Sequence, residues 1–490
     1  MNVCGSKRFG IFLAVGLVIC SALRGGEINV EEVQDATNTQ YGAHIDPGGW
    51  VNFSVFSPDA TQVNLLLYST ANATRPVQVI PMKKHGTDWQ VRIRGKGIGV
   101  GLLYMYQAKG PLDVKPGAEN GQFFNPIYPL SDPYAYNTQD VAYSTVFTST
   151  PLVQGTIPCY AGGGKSIVYD HTRDTQPEHV KIPPQDLIIY ELHVQDYTAR
   201  IGSLDSSRRG TYIGLATPGL KTPQGSVAGV DHLIELGVNA VELMPIMEYD
   251  QDTGNAPDRL NHFGYMTTNF FAPESRYAAN PDNKVVELKQ LIKALHDRGI
   301  AVILDTVYNH SGEGGPLRDD KGQLAAKYFN FRGLCNRQLF RSTSDGRLYN
   351  NCTGTGNDID FGGAAGTYSK RLTADSLNLW YTKYGADGFR FDLARILSDR
   401  SADAAEWVNN IRAIGDAYLI SEPWDLCGQW WDYMDSGIWN YTNNRWAKWL
   451  GKYRDEIRNF SKSTLRNRTT FKRLIEGRGD TAAGGPASTK

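Results

Sequence analysis

Hydrophobic and polar residues alternate strictly in "DGFRFDLA", residues 387–394. A period of two is typical of a β-strand, which predicts that Phe389 and Phe391 share one face. Arg390 and Asp392 then share the opposite face. The pattern therefore predicts a strand with one apolar face and one face that carries a guanidinium and a carboxylate.

Segments typical of an amphipathic helix, a glycine turn and an apolar strand recur over residues 183–476, most clearly in "VVELKQLIKALHDRGIAVILDTVYNH". Such repeats favour a parallel β/α architecture. Five strands of this kind are visible in the sequence, whereas a closed barrel needs eight. The predicted fold class is α/β, a (β/α)8-type TIM barrel that is incomplete towards its C-terminus.

A different pattern precedes the barrel. "WVNFSVFSPDATQVNLLLYS" holds two alternating runs separated by Ser-Pro-Asp, which predicts strand, turn and strand. Similar runs predict a small all-β sandwich over residues 41–145. Residues 477–490 are mostly small and lack periodicity, which predicts a disordered tail.

The N-terminus has the layout of a signal peptide. Lys7 and Arg8 precede an apolar run that is short for a membrane span, and we assign residues 1–25 to the signal. This predicts a secreted or periplasmic protein with no membrane contact once the signal is removed; an uncleaved anchor is the alternative. Export permits disulfides among the four cysteines that follow the signal, and the sequence leaves their pairing open.

The composition and charge of the chain limit the classes of ligand that it is expected to bind. The chain is 41% hydrophobic and 21% charged, and its net charge is −1, so nothing indicates a nucleic-acid partner. No cysteine or histidine spacing indicates a zinc site. The oligomeric state stays open.

The ends of the predicted barrel strands carry the candidate chemistry. Barrel active sites lie at the C-terminal ends of the strands, where Arg390 and Asp392 would point inward. The preceding strand delivers Asp305, with Asn309 and His310 just beyond, and the next strand ends at Glu422. Since adjacent strands lie ~4.8 Å apart, we expect roughly 5 Å between the carboxyl groups of Asp392 and Glu422.

That separation suits a retaining glycosidase, which needs about 5–5.5 Å between its carboxyl groups. Asp392 would be the nucleophile and Glu422 the general acid/base. Arg390 would keep Asp392 ionised, and Asp305 would hold Arg390 from the other side. A neighbouring carboxylate and Trp424 would raise the pKa of Glu422.

Each residue also has a structural interpretation. Arg390 and Asp392 could form a plain ion pair, Asp305 could cap a helix or loop, His310 could be a surface histidine, and Glu422 an exposed strand end. Buried ion pairs seldom stabilise a protein more than apolar packing does. Charged pairs at successive strand ends therefore favour function.

These motifs resemble the α-amylase superfamily of glycoside hydrolases. "DTVYNH", "GFRFDLA" and "ISEPWD" are similar to three of its four signature regions, and "HFGYMTTNFFAPESRY" to the stretch that supplies a sugar-stacking tyrosine, here Tyr265. "IIYELHVQDYTA" and "VNAVELMPIMEYD" resemble the first two barrel strands of isoamylase-type debranching enzymes, among which the secreted bacterial isoamylases look most similar.

The resemblance implies hydrolysis of α-1,6 branch linkages in glycogen or amylopectin, with retention and with a branched α-glucan as the partner. It assigns Asp392 as nucleophile and Glu422 as acid/base, and substrate binding to Tyr265, His310, Arg390, Asp305 and Asn309. The sandwich resembles a glucan-binding module. No cofactor is implied, except that some secreted relatives hold calcium near the loop after the second strand, where Glu248 matches and neighbouring positions differ.

One departure concerns the fourth signature, a His-Asp pair at the seventh strand. No histidine follows His310, and the His296-Asp297 pair lies on a predicted helix before the third strand. We expect a truncated relative with little or no debranching activity, because loss of a positioned transition-state group commonly costs ~10²–10³ in rate.

Two alternatives stay open at this point. One is another α-glucan specificity, such as a pullulanase or a trehalose-releasing hydrolase. The other is a non-catalytic protein that binds glucan through its sandwich. Branch chain-length preference and signal cleavage are not indicated by the sequence.

Overall fold

A computed structural model describes most of the chain between residues 27 and 462, together with residues 469 and 472. The gaps inside that span are 37–39, 116, 140–158, 162–163, 176–177, 252–260, 316, 319–323, 363–365, 399–410, 412–413, 423–445 and 450. The predicted signal (1–25), the predicted tail (477–490) and Trp424 lie outside the described residues. No described helix is long and apolar enough to cross a membrane.

The N-terminal part is a two-sheet β-sandwich. The strands in this part of the chain are β1 Asn29–Gln34, β2 Gly42–Ile45, β3 Val51–Phe56, β4 Gln62–Tyr68, β5 Gln78–Pro81, β6 Lys83–His85, β7 Asp88–Lys96, β8 Leu103–Lys109, β9 Asn137–Thr138, β10 Cys159–Ala161 and β11 Ser166–Ile167, and all except β10 belong to the sandwich. One sheet has the order β1-β7-β3-β2 with β6 also paired to β7, and the other has the order β5-β4-β8-β11-β9. Strand β10 pairs with a later strand instead.

Apolar residues at alternate positions of the strands form the core of this sandwich. In β4, Val63, Leu65 and Leu67 are completely buried and belong to the main apolar core, as does Phe53 of β3. Inward-facing apolar residues of two facing sheets form such a core. Strands β1 and β11 lie outside residues 41–145 and yet pair with β7 and β8.

The second part is built on a parallel sheet. Its strands are β12 Ile189–Leu192, β13 Ala240–Leu243, β14 Ala301–Thr306, β17 Gly388–Phe391, β18 Tyr418–Ser421 and β19 Trp446–Lys448, and a small side sheet contains β15 Leu317–Arg318 and β16 Leu324–Tyr328 with β10. The six main strands pair in chain order, and every pair is parallel. Parallel strands that follow chain order are the arrangement of a β/α barrel wall.

Helices lie between these strands and after the last of them. They are α1 Val194–Thr198, α2 Tyr212–Leu215, α3 Val230–Glu235, α4 Lys284–His296, α5 Phe331–Leu339, α6 Gly366–Leu379 and α7 Gly451–Ser461, with a π-helical turn over Trp380–Tyr384. Short 3-10 turns lie at His171–Arg173, Pro184–Asp186, Ser206–Arg208, Ser275–Tyr277, Pro281–Asn283 and Ala394–Ser398.

The two faces of β17 carry the residues that the alternation predicts. Phe389 and Phe391 join the main core, while Arg390 lies at the same level as Asp305 on the neighbouring strand. At Gly388 a Cβ atom would come within 2.7 Å of the Tyr418 carbonyl oxygen, so only glycine lets β18 approach this closely.

The sequence predicts five barrel strands, whereas the described residues contain a sixth, β19. That strand has only three residues, Trp446–Lys448, and it lacks the preceding helix-and-glycine pattern by which the other strands were found. Among the described cysteines, Cys335 is a buried free thiol.

Candidate active site

The candidate active site lies where β14, β17 and β18 end. In the pairing register, Asp305 of β14 lies opposite Arg390 of β17, and Arg390 lies opposite Ile420 of β18. Asp392 and Glu422 follow directly, each two residues beyond this level. Because parallel strands end at the same edge of a sheet, the four charged side chains of Asp305, Arg390, Asp392 and Glu422 come together.

Arg390 is the centre of the cluster. Its Nη1 donates to Oδ1 of Asp305 at 2.7 Å and to Oδ1 of Asp392 at 3.0 Å. Its Nη2 lies 2.9 Å from Oε1 of Glu422. The Arg390 side chain is only 2% exposed. One buried guanidinium therefore holds the two predicted catalytic carboxylates against its two terminal nitrogens.

A single positive charge does not balance these carboxylates. Burial raises the pKa of Asp305 to about 7, and the charge of Asp392 adds to this although Arg390 opposes it. Burial also raises the pKa of Glu422; Arg390 lowers it and Asp392 raises it further. Glu242 on β13 faces the same interior, and burial together with Asp305 raises its pKa to about 8. The site therefore retains protons on carboxyl groups near neutral pH.

Asn309, His310 and Tyr265 surround the same carboxylates. Asn309 Nδ2 donates to Oδ2 of Asp392 at 2.7 Å, and His310 Nδ1 hydrogen-bonds the Asn309 side-chain oxygen. The Tyr265 hydroxyl donates to Oδ2 of Asp305 at 2.6 Å. His310 is buried, and burial lowers its pKa, which favours the neutral ring. All seven predicted residues thus form one contiguous group.

The backbone conformation of Leu393 was not predicted from the sequence. Leu393 has φ 41°, a left-handed conformation that non-glycine residues rarely adopt. Its N–H donates to Oε2 of Glu422 at 3.1 Å. Strained backbone is typical of functional sites, and here it aims an amide at the predicted acid/base. The sequence carries no signal of this, since leucine favours ordinary conformations.

The position of Trp449 was also not predicted from the sequence. It follows β19, and its N–H donates to the Ser421 carbonyl oxygen at 3.1 Å. The Arg390 guanidinium lies 4.5 Å from the centre of the Trp449 ring. A cation over an indole face is attracted by the ring quadrupole. The tryptophan therefore covers the guanidinium beside Glu422.

Glu248, the residue that matches a calcium position of some relatives, lies apart from this group. Its Oε2 accepts a hydrogen bond from the ammonium of Lys284 at 2.8 Å, and Lys284 is completely buried. A lysine ammonium already satisfies the carboxylate oxygen that a cation would take. The residues present do not fit a calcium ion here.

Two clusters among the described residues bring three potential metal ligands within 4.8 Å of one another, namely His193–Asp196–His262 and Glu191–Glu242–Asp305. In each cluster at least one member already has partners within the protein. His193 Nδ1 accepts from the Asp196 amide at 3.2 Å, and Asp305 is bound by Arg390 and Tyr265.

Two family models match the chain. "Carbohydrate-binding module 48 (Isoamylase N-terminal domain)" matches residues 40–135, within the sandwich. "Alpha amylase, catalytic domain" matches residues 206–330, which contain β13 and β14. The two matches fall on the two parts of the fold in the predicted order.

Curated relatives are similar over most of the chain. The rice chloroplastic protein Isoamylase 3 is 34% identical, over 88% of this chain and 54% of the relative. The Mycobacterium tuberculosis (strain H37Rv) "Glycogen operon protein GlgX homolog" is 32% identical, over 86% and 56%. A Flavobacterium isoamylase is 31% identical, over 86% and 58%. The chain spans about half the length of the curated relatives it matches.

Solved structures give the same fold. Pullulanase from Anoxybacillus sp. LM18-11, complexed with maltotetraose, matches with a TM-score of 0.65 and 27% identity, over 86% of this chain and 55% of that one. Pullulanase from Paenibacillus barengoltzii, complexed with maltohexaose and alpha-cyclodextrin, matches with 0.59 and 28%, over 79% and 54%. The predicted barrel with a preceding all-β module is confirmed.

Proposed function

This chain belongs to the α-amylase superfamily, and we propose that it acts as an isoamylase-type hydrolase that cleaves α-1,6 branch linkages of glycogen or amylopectin with retention. The main observation that supports this function is that Arg390 binds both Asp392 and Glu422 at neighbouring strand ends. Similarity to isoamylases and to a glycogen operon protein supports the choice of substrate.

In the first step, Asp392 is the nucleophile. Arg390 and Asn309 each bind one of its oxygens, which holds the carboxylate in place. One oxygen of Asp392 forms a bond to the anomeric carbon while the bond from that carbon to the glycosidic oxygen breaks. Glu422, whose pKa burial raises, donates its proton to the departing oxygen.

In the second step, Glu422 is the base. Its carboxylate takes a proton from water as the water oxygen attacks the same carbon and releases Asp392. The Leu393 amide and Arg390 bind the two oxygens of Glu422, which stabilises its ionised form between the steps. Two inversions at one carbon give net retention.

The experiment uses the full chain on amylopectin, with reducing ends and product anomers followed by NMR. We expect linear chains that first appear as the α-anomer, and no release by Asp392→Asn or Glu422→Gln. Asp297→Asn, at an exposed residue paired with Lys293, is the control and should match the wild type. Initial β-anomer, or unchanged rates in both site variants, would contradict the proposal.

Two other functions have some support. Pullulanases are among the structural matches, so release of maltotriose from pullulan at a rate above that on amylopectin would favour that specificity. The match to a carbohydrate-binding module favours glucan binding without catalysis. Starch-granule binding that survives Glu422→Gln, with no sugar released by the wild type, would establish it.

Location outside the cytoplasm is also part of this proposal. It rests on the signal-like residues 1–25 and on the polymeric substrate. N-terminal sequencing of the mature protein from the medium or periplasm tests it, and a start at Met1 in the cytoplasmic fraction would contradict it.

A further inference from the structure

Lys284 is a buried lysine in an unfavourable place. It is the first residue of α4 and its side chain has 0% exposure. A positive charge at a helix N-terminus is repelled by the helix dipole, and a buried ammonium must be paired because it loses its hydration. Its surroundings must therefore compensate both costs.

Three oxygens surround the ammonium at one common distance. Nζ of Lys284 donates to Oε2 of Glu248, to Oγ1 of Thr138 and to Oγ of Ser275, each at 2.8 Å. A lysine ammonium has three donors, so every N–H is satisfied. Oε2 of Glu248 also accepts from Ser275 at 2.9 Å and from Thr138 at 3.3 Å.

The contact joins the two parts of the fold. Thr138 ends β9 of the sandwich, whereas Glu248 follows β13 of the barrel and Ser275 lies in the 3-10 turn before α4. Oxygen atoms that include a carboxylate are the ligands that a structural calcium ion prefers. Here the charge comes from the chain itself.

The local charge leaves little attraction for a divalent ion. Glu248 carries one negative charge and faces one ammonium. Glu274 is close by, but burial and the Glu248 charge raise its pKa to about 8 despite Arg276, which favours its neutral form. Two positive charges added here would face almost no uncompensated negative charge.

We propose that the Lys284 ammonium serves as the built-in cation of the joint between sandwich and barrel, so that this joint needs no calcium. The proposal concerns the joint alone and does not depend on the hydrolase activity. It predicts a protein whose stability is insensitive to calcium and chelator at this position, in contrast to what the resemblance to calcium-holding relatives implies for Glu248.

The first measurement is thermal unfolding of the full chain in millimolar calcium and in chelator. We expect the same midpoint in both for the wild type. Lys284→Met should lower the midpoint by about 5 °C or more, because it leaves the Glu248 carboxylate buried without its partner. Lys293→Met, on the exposed side of the same helix, is the matched control and should change it little.

Chemical rescue tests whether the charge is what matters. Lys284→Ala removes the atoms of a propylammonium ion, and added propylammonium should restore part of the lost midpoint while 1-propanol does not. Equal rescue by 1-propanol would show cavity filling only and would overturn the proposal. So would a calcium-dependent rise of the wild-type midpoint that Glu248→Gln abolishes.

A milder variant, Thr138→Val, keeps the proposal testable if Lys284→Met does not fold. Thr138→Val removes one of the three acceptors and keeps the ion pair with Glu248. We expect a smaller fall in the midpoint than for Lys284→Met, again the same in calcium and in chelator. No fall at all would overturn the role of the ammonium in joining sandwich to barrel.

Discussion

At its N-terminal end the strand pair β14–β17 has one buried carboxylate, Asp387, among four donors. The amides of Val180 and Val302 donate to it at 2.9 and 2.7 Å. His179 Nδ1 and His296 Nε2 lie 3.2 and 2.7 Å from its oxygens. At the C-terminal end, the same pair together with β18 holds three carboxylates around the single guanidinium of Arg390.

The electrostatic outcomes are opposite. Burial alone would raise the pKa of Asp387, but hydrogen bonds from His179 and His296 outweigh it and the pKa is lowered. At the other end burial prevails, and the pKa of Asp305 and of Glu422 is raised. Burial is common to both ends, so the donors around each carboxylate and the charge of any neighbouring carboxylate decide the sign. The end with Asp387, whose carboxylate has four donors, is here called the saturated end, and it stabilises the fold. The other end, where three carboxylates share one guanidinium, retains protons on its carboxyl groups that a reaction can use.

Removal of Arg390 should have the largest effect. Arg390→Met leaves three clustered carboxylates without a cation, and we expect a loss of about 3–5 kcal/mol in the free energy of unfolding near pH 8. The loss should shrink towards pH 5, because the carboxyl groups then take up protons. Denaturant titrations at both pH values measure it, and a loss that is independent of pH would contradict the unbalanced-charge account.

The saturated end gives the next largest effect. Asp387→Asn removes the charge that pairs with two histidines but keeps one acceptor, so we expect a loss of about 2–4 kcal/mol at neutral pH. Because the folded pKa of Asp387 is lowered, its contribution exists above the unfolded pKa and disappears as pH falls through the folded value. Asp297→Asn is the exposed control. An equally stable Asp387→Asn would remove the contrast between the two ends.

The smallest effect concerns Glu242 and the pH dependence of stability. Its folded pKa of about 8 exceeds the unfolded value, so the folded state binds more protons and stability falls as pH rises from about 5 to 8. Glu242→Gln should flatten that slope and should stabilise the protein at pH 8 by about 1–3 kcal/mol. Parallel curves for variant and wild type would show that Glu242 is not the group responsible.

Much of this contrast could be predicted from sequence. Alternation over residues 387–394 placed Arg390 and Asp392 on one face, and the helix-and-strand repeat placed Asp305 and Glu422 at the neighbouring ends. These inferences rest on local periodicity, which strand geometry enforces. Asp387 lies next to the same motif, yet its role depends on His179 and His296, which are distant in sequence and have no local pattern.

Other features depend on tertiary contacts alone. Trp449 follows a strand too short to show a period, and the φ of Leu393 is imposed by its surroundings. Lys284 looks like an ordinary helix lysine in "DNKVVELKQ", and only the meeting of sandwich and barrel shows why it is buried. Roles that arise between distant segments are those that periodicity does not predict.

The most direct test of the central claim is to trap the covalent intermediate. A fluorinated maltosyl fluoride reacts in the first step and is released slowly, so it needs only the nucleophile and the acid/base pair to be in place. Digestion and mass spectrometry should find the sugar on the peptide that contains Asp392, and none in Asp392→Asn. A label on another residue, or hydrolysis with inversion and no label, would contradict the account.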